Sequence, residues 1–109
     1  MEIRTRRTIY RGVVPRRSGI TGPPKSYLAS GEWPTGRVDG PPEAKYAAEV
    51  SRRLREAIGE RTLRSVAREA GLDHTTVRAV ADGERWPDLI TVARLEQALD
   101  VRLWPDMIG

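Results

Sequence analysis

The chain has 109 residues, 39% of them hydrophobic, which is material for one small core. Without a cysteine it can form no disulfide, no Cys-zinc site and no thiol nucleophile, and its single histidine leaves no Cys-His pair. The formal net charge of +4 is unevenly placed: residues 1–41 hold eight basic and three acidic side chains and residues 42–109 hold eleven and twelve, so the field an anionic partner meets comes chiefly from the front third.

No apolar run of about 18 residues and no charged-then-apolar leader is readable, so we expect a cytoplasmic, nucleoid-associated protein with no membrane partner. Of the 19 basic residues only Lys25 and Lys45 are lysines, and asparagine is absent, a bias that fits a high-GC bacterial or phage coding sequence.

Residues 1–41 form the first predicted unit, a basic, Pro/Gly-rich N-terminal arm. Pro15, Pro23, Pro24, Pro34 and Pro41 recur too often for a helix to persist. In "IRTRRTIYRGVV" the β-prone Ile3, Thr5, Ile9 and Val13 fall on odd positions, which allows one strand or a hairpin arm, yet the apolar face is too thin to be buried alone. Two readings stay open: a disordered basic tail, or a segment that orders on DNA, on a second subunit or on another protein. Tyr10, Tyr27, Leu28 and Trp33 are its candidate anchors.

From Pro42 to Gly109 the pattern becomes helical. In "EAKYAAEVSRRLREAIGE" Tyr46, Val50, Leu54 and Ile58 repeat every four residues with Ala47 and Ala57 beside them, which predicts one buried stripe opposite Arg52, Arg53, Arg55 and Glu56. Pro41 and Pro42 suit its start and Gly59 its end. Thr62 can cap a second helix whose inner face is Leu63, Val66, Ala67 and Ala70, ended by Gly71. Asp73 can cap a third, with Val77, Val80 and Ala81 inward and Asp82 and Gly83 closing it. After Pro87, Asp88 can cap a fourth carrying Leu89, Val92, Leu95, Ala98 and Leu99. The closing "VRLWPDMIG" either completes the core with Trp104, Met107 and Ile108 or joins two subunits.

Ala67, Gly71 and Val77, in "VAREAGLDHTTVRAVADGERWPD", resemble the helix-turn-helix pattern of the lambda repressor and Cro-like (XRE-type) family, and the resemblance extends over about residues 43–104. Each of the three has a physical reason. Ala67 is small where two helices cross, Gly71 can take the left-handed conformation that reverses the chain, and Val77 packs the next helix back onto the first. The resemblance implies an all-α bundle of four to five short helices, with an extended or partly β N-terminal arm, that binds double-stranded DNA as a homodimer and regulates transcription by repression.

It further implies that the helix from His74 to Asp82 enters the major groove, with His74, Thr75 and Arg78 reading bases and Thr76 lying between the groove and the phosphates. The chain departs from the family at Leu63, where a Gln commonly bonds a phosphate, and at Asp82, where an acid would repel DNA. Backbone contacts then fall to Arg61, Arg64, Arg68 and Arg85, and to Arg4, Arg6, Arg7, Arg11, Arg16 and Arg17 of the arm, which in related proteins can reach the minor groove.

Catalysis finds no support in the residues. "GPPKS" lacks the spacing of a phosphate-cradling loop, and Glu49, Glu56, Glu60 and Glu69 alternate with arginines as surface ion pairs do. We therefore expect neither enzyme activity, nor a cofactor, nor a bound metal. The alternative is an antitoxin or a protein-docking adaptor on the same fold, with residues 1–41 binding a protein partner.

Overall fold

The computed structural model describes residues 20–106. Four α-helices dominate these residues: α1 (Pro42–Ile58), α2 (Leu63–Ala70), α3 (His74–Ala81) and α4 (Leu89–Leu99). Ahead of them come a single 3-10 turn (Pro24–Tyr27) and a short antiparallel pair, β1 (Leu28–Ser30) and β2 (Arg37–Val38), with Leu28 opposite Val38. The architecture is mostly α, and no helix among the described residues is long and apolar enough to cross a membrane.

Local chemistry places each helix end. Thr62 accepts a hydrogen bond from Ser65 N at 3.1 Å, Asp73 from Thr75 N at 3.1 Å and Asp88 from Thr91 N at 2.8 Å, each satisfying an amide that the first helical turn leaves without a partner. These bonds hold the carboxyls of Asp73 and Asp88 below the usual carboxylate range. Pro41 precedes α1, and Pro42 is its first residue, where a missing N–H costs nothing. Gly71 ends α2 at φ 72°, ψ 34°, the left-handed region open to glycine, and lets Leu72 N close back on Ala67 O at 2.8 Å.

The principal core is formed by Val50, Leu54 and Ile58 of α1, Val66, Ala67 and Ala70 of α2, Val77, Val80 and Ala81 of α3, Val92 and Leu95 of α4, and Leu103 beyond α4. Ala67 and Val77 are buried as their predicted packing roles require. Leu89 is a correction. It is in phase with Val92 and Leu95 but is 74% exposed, because the helix opens there and Thr91 takes the inward position beside its Asp88 cap. Core completion at the C-terminal end also differs: Leu103 and Pro105 are buried while Trp104 is 45% exposed. Met107 and Ile108 lie outside the described residues.

A second, smaller cluster joins the front segment to the helices. Trp33 and Val38 pack with Ala44, Ala47 and Ala48 of α1, and Tyr27, Leu28 and Trp86 lie against them. The segment read as one arm over 1–41 thus has two parts. Residues 20–41 pack on this chain's own α1 and on the end of α3, with Tyr27, Leu28 and Trp33 as anchors. Residues 1–19, with Tyr10 and the alternating Ile3, Thr5, Ile9 and Val13, lie outside the described residues. The strands that do form are at 28–30 and 37–38.

Candidate nucleic-acid interface

α2 and α3 are eight-residue helices joined by the turn Gly71–Asp73, and the outer side of α3 carries the side chains singled out from the sequence. His74 and Arg78 are four residues apart and Thr75 and Arg78 three, so all three share one face of the helix. Thr75 and Arg78 are exposed, while the His74 side chain is 28% exposed, with Nδ1 3.6 Å from Asp73 Oδ1. Thr76 is half-buried, and its amide donates to Asp73 O at 3.0 Å. Val77, Val80 and Ala81 point the other way into the core. The phase of α3 is therefore fixed by packing, and its polar face follows from that phase.

The arginines around this face divide by whether the protein already uses them. Arg61 pairs with the Glu69 carboxylate, both side chains about half exposed. Arg52 and Arg53 both pair with Glu49 on the exposed side of α1; the Arg52 hydrogen bond foremost brings that carboxyl from 4.5 to about 2. Arg94 reaches back to Gly71 O at 3.2 Å. Arg64, Arg68, Arg78 and Arg85 are exposed and make no direct ion pair among the described residues, though Arg64 acts through space on Asp73 and Arg85 on Asp88. All four lie on α2, on α3 or in the loop that follows α3. The arm arginines Arg4, Arg6, Arg7, Arg11, Arg16 and Arg17 lie outside the described residues.

Asp82, which would repel a phosphate, faces elsewhere. Arg55 of α1 donates through Nη2 to Asp82 Oδ1 at 3.0 Å, through Nε to Ala81 O at 2.9 Å and through Nη1 to Trp33 O at 3.2 Å. One guanidinium thus neutralises the acid at the end of α3 and ties that end to both α1 and the front segment. Ser51 Oγ, fully buried, donates to Val80 O at 2.6 Å, and Lys25 N donates to Gly83 O at 2.8 Å. Acceptors of four successive residues, Val80 to Gly83, are therefore held by other elements. Gly83 has φ +73°, and the Trp33 ring lies so near that a Cβ built there would come within 2.5 Å of Cε2.

Sequence reasoning missed Ser51, Arg55 and Trp33 as supports for α3. Ser51 carried a usable signal, since it follows Ala47 by four residues and precedes Leu54 by three, which places a hydroxyl on the inward phase of α1 and demands a buried acceptor. The roles of Arg55 and Trp33 depend on contacts more than twenty positions away and left no local trace. Glu49 and Glu56 are in arginine ion pairs at the helical spacing read from the sequence, whereas Glu69 pairs with Arg61 eight residues away and Glu60 makes no ion pair among the described residues. No protein family, curated protein or solved structure compared with this chain matches it.

Proposed function

We propose that this chain is a sequence-specific, double-stranded-DNA-binding transcriptional repressor, in which α2 and α3 act as a helix-turn-helix of the lambda repressor and Cro-like kind. The observation that carries this reading is the outer face of α3. His74, Thr75 and Arg78 project together from a helix clamped at its far end, and the unpaired Arg64, Arg68 and Arg85 lie on the adjoining elements while Glu69 and Asp82 are neutralised within the fold. On DNA, Arg78 bonds a guanine edge through two N–H groups, Thr75 bonds a base or touches a thymine methyl, and His74 donates or accepts according to its proton. Arg64, Arg68, Arg85 and the Thr76 hydroxyl hold phosphates, which supplies register and salt-sensitive affinity but no sequence information. Two chains on half-sites about one helical turn apart would occlude a promoter.

Selection from random duplexes, followed by footprinting on the enriched site, tests this directly. A defined half-site repeated with two-fold symmetry is the expected result. Recovery of no preferred sequence at low salt would refute it and leave the protein-docking reading in its place.

A further inference from the structure

An apolar groove of about 430 Å³ runs between the start of α1, the loop after α3 and the stretch after α4. Pro42 and Tyr46 form one side, Trp86 another, and Trp104 and Pro105 the third. That volume falls in the range of sites that take up small molecules, which are lined mainly by aromatic and apolar side chains around a few polar groups.

The walls are set by bonds made outside the groove. Trp86 Nε1 donates to Gly22 O at 2.9 Å and its ring lies against Tyr27, with centroids 6.5 Å apart, so the one polar atom of this indole is used on the protein and what it offers the groove is carbon surface. On another side, Glu96 Oε2 accepts from Leu103 N at 2.8 Å and from Trp104 N at 3.0 Å, which fixes the backbone that carries Trp104 and Pro105. Leu103 is fully buried, while the neighbouring Trp104 stays 45% exposed.

Glu43 is the groove's one charged lining residue. It is exposed and takes no part in the arginine pairs that engage Glu49 and Glu56 further along α1. A single carboxylate beside two indoles and a phenol selects by charge. An anion is repelled by the acid and by the negative faces of the rings, and a neutral apolar body leaves the carboxylate with nothing to pair. A cation is drawn by both, since the ring faces attract it and the carboxylate neutralises it.

We propose that this groove is a binding site for a small organic cation of the quaternary ammonium class with an aromatic or apolar body, held by Tyr46, Trp86 and Trp104 and neutralised by Glu43. Such a cation carries its charge under methyl groups and needs no hydrogen bonds, so walls of carbon surface suit it where they would not suit an ammonium that must keep its water. The site does not depend on what α3 binds, and neither His74, Thr75 nor Arg78 lines it.

Benzyltrimethylammonium titrated into the full-length protein, with the indole N–H signals of the three tryptophans followed by NMR, tests this. Trp86 and Trp104 should shift saturably with one dissociation constant, while Trp33, which does not line the groove, stays. Dimethylbenzylcarbinol, a neutral molecule of nearly the same shape, should bind at least about tenfold more weakly, and Glu43→Gln and Trp104→Ala, both at exposed positions, should each weaken the cation by a similar factor as read from Trp86. No saturable shift of Trp86 and Trp104 at millimolar cation would overturn the proposal. So would equal affinity for the cation and the alcohol, or an unaltered affinity in Glu43→Gln, because the groove would then be a plain apolar cleft. Movement of the same two signals on diluting the ligand-free protein would overturn it as well, by showing that a second copy of the chain fills the groove.

Discussion

Gly83→Ala probes whether the front segment is part of the folded unit that supports α3. The added Cβ would lie 2.5 Å from Trp33 Cε2, 2.7 Å from Nε1 and 2.8 Å from Cδ2, where an ordinary carbon contact needs about 3.5 Å. The indole must retreat by about 1 Å, but it is 8% exposed, packed on Ala44, Ala47 and Ala48, with its own carbonyl held by Arg55. Overpacking of this kind costs about 1–3 kcal/mol, and an L side chain at φ +73° adds about 1–2 kcal/mol. A loss of about 2–5 kcal/mol is expected from a domain whose whole stability is of order 5–15 kcal/mol. Urea denaturation followed by circular dichroism measures it. Trp33→Ala in the same background isolates the steric part, because Gly83→Ala should then cost only its backbone strain, and the cycle should return a coupling of about 1–3 kcal/mol. Additive losses, or a Gly83→Ala cost below about 0.5 kcal/mol, would refute the packing of residues 20–41 on the end of α3.

Arg78→Ala should weaken binding to the selected DNA site by about 1–3 kcal/mol and relax preference at one base pair, with thermal stability unchanged; fluorescence anisotropy on the site and its point variants measures this. Val77→Asp should unfold the domain by placing a charge in the core, whereas Thr75→Ala should leave the melting temperature nearly unchanged, and equal losses would contradict the phase of α3. Arg55→Ala should cost about 2–3 kcal/mol of stability and also reduce DNA affinity by freeing the Asp82 carboxylate. Asp82→Asn in that background should restore part of the affinity but not the stability. Because the Glu49 carboxyl is lowered from 4.5 to about 2, chiefly by the Arg52 hydrogen bond, its contribution is present above about pH 4.5 and lost as pH falls toward 2. Glu49→Gln should flatten acid-induced loss of stability over that window, by about 1 kcal/mol for so solvent-facing a cluster.

The helical part of this molecule was legible because its signals are local. Thr62, Asp73 and Asp88 cap where their side chains can reach an amide two or three residues on, and the inward faces of α1, α2 and α3 keep helical spacing. Leu89 was misread because spacing reports the phase of a position but not whether another element covers it. For residues 20–41 the anchors Tyr27, Leu28 and Trp33 were legible, but not the surface they pack on. The stabilising contacts, Trp33 on Gly83, Trp86 to Gly22 and Arg55 to Trp33, join positions 22 to 64 residues apart, and prolines and glycines along that stretch look the same in a packed segment as in a loose one. At the candidate interface, the outward set His74, Thr75 and Arg78 followed from the phase of Val77. Which arginines remain unpaired did not follow, since Glu69 and Asp82 each accept a partner that spacing alone does not choose.

The clamp on Val80 to Gly83 makes α3 a lever with its fulcrum at the C-terminal end. An eight-residue helix is about 12 Å long, so a tilt of about 5° about that fulcrum carries the His74 end through about 1 Å. That is twice the roughly 0.5 Å within which a recognition contact must be placed. If the outer face of α3 reads DNA as proposed, Ser51, Arg55 and Lys25 set the aim of side chains they never touch, and a substitution far behind the face would change which sequence is read rather than how tightly. Such a change would leave His74, Thr75 and Arg78 in place and alter only the angle from which they arrive.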